Sequence, residues 1–125
     1  MNLNQITIPS LNVEKAVEFY TLLGLKLIVD ALPRYVRFEC PDGDSTFSIH
    51  KVDELPAGNG ISIYFEDEHL DELVSRLKSK GIIFISEPED KTWLWREAHL
   101  HDLDRNHIIL YKAGRNRKNP PWRIP

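Results

Sequence analysis

Between residues 93 and 99 the sequence reads Trp-Leu-Trp-Arg-Glu-Ala-His. In an extended chain successive side chains point to opposite faces, so Trp93, Trp95, Glu97 and His99 share one face. Two indoles beside a carboxylate and an imidazole open two kinds of chemistry. The indoles can stack on a flat or cationic ligand, or they can fill a core between sheet and helix. A carboxylate or imidazole on an indole-lined wall can have a shifted pKa and serve as a general base. It can equally point to a sheet edge and be solvated. Arg96 faces the opposite way, and the internal repeat described below places it against Glu39, where an ion pair is more often structural than catalytic.

Other residues that could react are less organised. His99, His101 and His107 lie close together but lack the regular spacing of a zinc motif. Cys40 precedes Pro41 with no histidine neighbour to activate it, which suits a structural or idle thiol. Gly58-Asn59-Gly60 is a short turn without the lysine and helix of a phosphate-binding loop. The bulk properties frame these residues. At 125 residues, 42% hydrophobic and 28% charged, the chain suits one compact domain over 1–125. A net charge of -3 points to no nucleic-acid or membrane partner, and no apolar run approaches the ~20 residues that cross a bilayer. The stretch Met1–Gln5 lacks the basic and apolar blocks of a signal peptide. With a single cysteine and so no internal disulfide, a cytoplasmic location is expected.

The elements that must position these residues read twice along the chain. Leu3 to Pro9 alternates as a strand. Asn12 can cap a helix in which Val13, Ala16, Val17, Tyr20 and Leu23 form the apolar stripe, and Gly24 can end it. Leu25 to Val29, Arg34 to Cys40 and Thr46 to Val52 read as strands, with a turn at 41–44. The order returns after residue 60. Ile61 to Phe65 is a strand, Leu70, Leu73, Val74 and Leu77 mark a second helix that Gly81 can terminate, and Ile82 to Ile85, Trp93 to Leu100 and His107 to Tyr111 are strands. Gly24 and Gly81 lie 57 residues apart, a shift that also puts Gln5 on Ser62, Ile28 on Ile85 and Phe38 on Trp95. Matching Phe47–Lys51 with Ile108–Lys112 requires 61, which implies a longer closing turn in the second copy. This is an α+β chain of two βαβββ repeats, 3–53 and 60–113, followed by an arm, 114–125. Two such units pair as curved mixed sheets with helices outside and a concave interior suited to a small ligand. The arm is basic at Arg115, Arg117 and Lys118; Trp122 is expected to anchor it over the domain, although it could instead close the cavity mouth or meet a second subunit.

Asn12-Val13-Glu14-Lys15-Ala16-Val17-Glu18-Phe19-Tyr20 followed by Leu23-Gly24 resembles the opening helix of vicinal-oxygen-chelate proteins, the glyoxalase/bleomycin resistance/extradiol dioxygenase group. Asp102 to Tyr111 is similar to the "D-P-D-G-N-x-I-x-L-Y" closing hairpin of that group, departing at Leu103 and Arg105 where Pro and Gly are usual. The resemblance covers residues 3 to about 113 and implies the glyoxalase/bleomycin-resistance-like fold and a homodimer. The stretch Trp93–Glu97 and the ending Pro120–Arg123 look like a subgroup whose substrate is not established.

The resemblance also implies where a divalent metal would sit, on the first and last strands of each repeat, held by His, Gln or Glu. Those positions are Gln5, Ser48, Ser62 and Ile109. Only Gln5 is a usable ligand there, so no cofactor is expected. A register slip of two residues would instead gather Gln5, His50 and His107; otherwise both histidines are wall or rim residues. The ligand-binding set expected around the interior is therefore Gln5, Ser48, His50, Ser62, Trp93, Trp95, His107, Ile109 and Tyr111, with Glu97 and His99 as the candidate catalytic pair. The expected function is binding of a small organic molecule without the usual metal. The alternatives are a metal-dependent lyase, isomerase or dioxygenase, and a metal-free enzyme using Glu97 or a histidine as base.

Overall fold

The computed structural model describes residues 1–125. The element order is β1 (Gln5–Ser10), α1 (Val13–Leu23), β2 (Lys26–Ala31), β3 (Tyr35–Glu39), β4 (Thr46–Lys51), β5 (Ser62–Glu66), α2 (Leu70–Ser79), β6 (Ser86–Asp90), β7 (Arg96–His101) and β8 (His107–Lys112), then a 3-10 turn at Gly114–Arg117. The duplicated βαβββ order is present, and the architecture is α+β with two four-stranded mixed sheets. The chain divides into two compact units, residues 1–60 with 102–106, and residues 61–101 with 107–125. Neither helix is long and apolar enough to cross a membrane.

In the first unit the strands lie in the order β1-β4-β3-β2, with β1 parallel to β4 and the other pairs antiparallel. The N-cap of α1 is Asn12, whose side chain accepts from the Lys15 amide, and Gly24 closes the helix at φ 110. These satisfy orphan backbone groups at both ends. The buried face of α1 carries Val13, Ala16, Phe19 and Tyr20. Tyr20 stands at the centre of an aromatic group, with its ring centroid 4.7 Å from Phe47 and 5.1 Å from Phe19. Its hydroxyl donates to Asp102 at 2.5 Å. Asp102 in turn accepts the amides of Asp104 and Asn106 and the Asn106 side chain, and Asp104 accepts the Leu11 amide. The closing turn 102–106 is thereby built into the first unit.

The second unit repeats the order as β5-β8-β7-β6, with β5 parallel to β8. Leu70, Leu73, Val74 and Leu77 of α2 are buried. So are Ile63, Ala98, Leu100, Ile108 and Leu110. In the strands these alternate with Ser62 and Tyr64, with Glu97, His99 and His101, and with His107, Ile109 and Tyr111, which form the other face.

Four expectations about this half are corrected. The apolar run Ile82 to Ile85 is not the strand. Ile82 closes the end of α2 by donating to the Leu77 carbonyl, Ile83 and Ile85 are exposed, and β6 starts at Ser86. Next, β7 begins at Arg96 rather than Trp93, because Lys91 to Leu94 form a hydrogen-bonded turn with Leu94 at φ 66. Finally, strand pairing equates Phe38, opposite Phe47, with Leu100, opposite Ile108, and not with Trp95. The additional residues of the second repeat lie ahead of β7. The closing turn, 102–106, is shorter than its counterpart at 40–45.

Candidate functional site

The open face of the second sheet gathers the most chemistry. β7 alternates, so Glu97 and His99 project to this face, and β8 places His107 opposite His101 and Ile109 opposite His99. β5, parallel on the other side of β8, sets Ser62 opposite His107 and Tyr64 opposite Ile109. The result is a continuous hydrogen-bonded series. Glu97, only 3% exposed, has one carboxylate oxygen 2.8 Å from His99 Nε2 and the other accepting from Trp93 Nε1 at 2.7 Å. His99 Nδ1 lies 2.9 Å from His107 Nε2, and His107 Nδ1 lies 3.1 Å from Ser62 Oγ. The ring of His101 stands 5.7 Å from that of His107. Burial and the neighbouring His99 and His101 hold His107 below the ordinary imidazole value, against the opposing pull of Glu97.

Next to this series is an aromatic group. Trp95 stacks on Tyr111 at 4.7 Å, and Tyr64 meets both edge-on. The Trp95 indole donates to the Asn116 carbonyl, while Glu66 accepts the amides of Ala113 and Gly114. Burial and Glu66 raise the Tyr111 phenol above its ordinary range. Trp93 and Tyr64 keep nearly half of their surface exposed, so this face presents aromatic surface beside a buried carboxylate.

The corresponding face of the first sheet is different. Ser48, buried, hydrogen-bonds Thr7 at 2.6 Å. Across β3, Arg37 Nε donates to the Tyr35 hydroxyl at 2.9 Å while its guanidinium lies over the Tyr35 ring. Burial pushes the Tyr35 phenol up, but hydrogen bonds from Ser48 and Arg37 and the guanidinium charge bring it below its ordinary value. Gln5 accepts from the Thr46 hydroxyl at 2.6 Å.

The sequence profile of the glyoxalase/bleomycin resistance protein/dioxygenase superfamily matches residues 2–110. The chain belongs to that superfamily. No curated protein sequence matches. Among solved structures, a glyoxalase/bleomycin resistance protein/dioxygenase from Nocardioides aligns with a TM-score of 0.79 and 21% identity, covering 100% of this chain and 90% of the other. A bleomycin-binding protein complexed with bleomycin aligns at 0.73 and 21% identity, over 90% and 98%. A lactoylglutathione lyase from Agrobacterium tumefaciens aligns at 0.72 and 16% identity, over 89% and 92%. At these identities the structures share the fold.

Membership of the superfamily raises the question of its metal, and the residues present do not fit one. In the first unit Gln5 is engaged by Thr46, and Ser48 offers only a hydroxyl already bonded to Thr7. In the second, Ser62 is bonded to His107 and Ile109 is a buried hydrocarbon. A neutral hydroxyl is a poor ligand and an alkyl group none. The two-residue slip does not supply a site either. β1 pairs Gln5 with Thr46 and Pro9 with His50, so Gln5 and His50 stand about 13 Å apart along the strands. No group of three or more His, Cys, Asp or Glu side chains is arranged to hold a metal ion.

Several sequence-based placements are revised by the geometry. Arg96 does not pair with Glu39; it makes a two-point contact with Asp71 and a further bond to Asp90, while Glu39 pairs with Lys26. Trp122 is 57% exposed, so the indole is not a buried anchor. The arm is held instead at Ala113, Gly114 and Asn116, by Glu66 and Trp95. Trp93 lies in the turn before β7, yet it reaches Glu97 as the shared face requires. Burial pushes the Cys40 thiol above its ordinary value. Tyr35, Arg37, Tyr64 and Glu66 escaped sequence reasoning. Alternation from Ser62 along β5 would have found Tyr64 and Glu66; Tyr35 and Arg37 needed the pairing of β3 with β4.

Proposed function

We propose that this member of the superfamily binds a small organic molecule on the open face of its second sheet, without the metal site usual in the family. The observation that carries this reading is the chemistry of the four inherited metal positions: an engaged amide, two hydroxyls and an isoleucine. The exposed indole of Trp93 and ring of Tyr64 beside Glu97 supply what such a ligand needs, apolar surface with a few convergent polar groups. The bleomycin-binding relative supports it, since the fold there serves binding. The residues proposed to meet the ligand are Ser62, Tyr64, Trp93, Trp95, His99 and His107.

The test is direct. Protein purified without a metal-binding tag is analysed for metal by mass spectrometry, then titrated with Ni, Zn, Mn and Fe(II) while Trp fluorescence is followed. Substoichiometric metal and no fluorescence response are expected. A panel of aromatic ligands should then quench the fluorescence saturably, and Trp93→Phe should weaken the response. Near one metal per chain, lost on changing Gln5 or His50, would sink the proposal and favour a metal-dependent lyase, isomerase or dioxygenase. The series Glu97–His99–His107 favours a second reading, an enzyme using a histidine as metal-free base.

A further inference from the structure

In β3, Val36 and Phe38 are buried, Phe38 beside Tyr20 of α1, so Tyr35 and Arg37 project from the opposite face of the first sheet. Arg37 is half-buried there and makes no ion pair. Glu39, two residues along on the same face, is engaged by Lys26 at 3.6 Å. The Nε of Arg37 donates to the Tyr35 hydroxyl at 2.9 Å, and the guanidinium carbon stands 5.5 Å from the centre of the Tyr35 ring. These contacts hold one edge and one face of the guanidinium. The other edge, with Nη1 and Nη2, has no hydrogen-bond acceptor in the chain. The Tyr35 oxygen accepts from Arg37 and from Ser48, which leaves its own hydrogen free to donate. Ser48, fully buried, is tied in turn to Thr7 at 2.6 Å. The row across β1, β4 and β3 thus ends in N–H and O–H donors that lack a partner.

We infer that this face of the first sheet binds the carboxylate of a small organic acid, its two oxygens on Nη1 and Nη2 of Arg37 and the Tyr35 hydroxyl a further donor at its side. The site is separate from the surface proposed above on the second sheet and does not depend on it. A half-buried guanidinium without an anion has given up part of its hydration with nothing in return, and a bound carboxylate supplies the missing partner. The planar fork of a guanidinium matches the two oxygens of a carboxylate in a two-point contact. Arg37 is the sole cation of the donor set, which suits a singly charged group better than a doubly charged phosphate. The body of the acid meets β2, where half-buried Val29 lies opposite Arg37 and half-buried Ala31 opposite Tyr35. Apolar surface beside a few convergent donors is what a small acid with a hydrocarbon or aromatic body requires.

The experiment titrates the full-length protein with benzoate, with benzamide, which has the same shape and no charge, and with inorganic phosphate. The buffer is free of carboxylates and phosphate, and binding is read by calorimetry. Benzoate is expected to bind saturably, and benzamide at least about tenfold more weakly, since bonds to a charged group are lost. Arg37→Gln should weaken benzoate by at least about tenfold, and Arg37→Lys, which keeps the charge and loses the fork, by less. Tyr35→Phe removes one neutral donor and should cost about fivefold. Each variant is checked for folding by circular dichroism. Amide NMR on the wild type gives a readout independent of the variants: benzoate should shift β3 and β4 most, around Arg37 and Ser48. The absence of saturable benzoate binding would overturn the inference, as would benzamide binding equally well or a folded Arg37→Gln with undiminished affinity. Shifts centred on Tyr64 and Trp93 would move the acid to the second sheet and remove this site, leaving the small-molecule reading intact. Phosphate binding as tightly as benzoate would overturn the assignment to a carboxylate.

Discussion

His107 links protonation to folding in the second unit. Burial and the adjacent His99 and His101 hold its folded-state value below the 6.5 of an ordinary imidazole. Between the folded and unfolded values the unfolded chain binds more protons, so acid favours unfolding in that window. This contribution is complete above the unfolded value and is lost as pH falls from about 6.5 through the depressed folded value. Urea unfolding at a series of pH values should show stability falling over that range, with a slope of at most about 1.4 kcal/mol per pH unit from this one group. His107→Gln should flatten that part of the profile. A profile identical in wild type and variant would show that His107 titrates as a free imidazole.

At the scale of elements, the ends of α1 and the closing turn carry predictions of their own. Gly24 ends α1 at φ 110, and a methyl group built there meets nothing within 4 Å. The cost of Gly24→Ala is therefore conformational. Left-handed backbone costs a non-glycine residue about 1–2 kcal/mol, offset in part by a stiffer unfolded chain, so a net loss of about 1 kcal/mol is expected in thermal or urea melts. The phenol of Tyr20 is pushed far above its ordinary range by burial and by Asp102, and it stays a donor. Tyr20→Phe removes the donation from α1 to the turn 102–106. Asp102 keeps its three N–H donors from Asp104 and Asn106. The expected loss is about 1.5–3 kcal/mol, toward the lower end because those donors remain. Both helix caps were legible in the sequence because Asn12 and Gly24 act through their own neighbours. β6 was not, because Ile82 to Ile85 has a strand's composition, while the end of α2 and pairing to β7 put the strand after it. The candidate site divides in the same way. Alternation alone showed Glu97 and His99 on one face, but the link through His107 to Ser62 depends on the register of β7, β8 and β5, which no local pattern determines.

Across the whole molecule the same architecture was built twice and its equivalent positions were given different chemistry. Ser48 of β4 lies between Thr7 and Arg37, and its equivalent, Ile109 of β8, lies between Tyr64 and His99. One face became a hydroxyl and Tyr–Arg surface, the other an aromatic surface with a carboxylate–histidine series. At the four metal positions of the superfamily, Gln5, Ser48, Ser62 and Ile109, neither face carries an imidazole or a carboxylate, and this has a thermodynamic consequence. A ligand that binds only the folded state stabilises it by RT ln(1 + [L]/Kd), about 2.7 kcal/mol at a hundredfold excess over Kd. For a chain of this size, such a gain raises the melting temperature by roughly 10 °C or more. Divalent Ni, Zn or Mn at concentrations that would saturate a micromolar site should therefore leave the melting temperature unchanged. An aromatic ligand that quenches Trp fluorescence should raise it in a concentration-dependent way, by an amount consistent with the Kd from quenching. A metal-dependent rise of that size would mean that a ligand set forms with residues beyond Gln5, Ser48, Ser62 and Ile109. Because the relation ties the rise to affinity, two concentrations of metal suffice to separate a specific site from weak surface association.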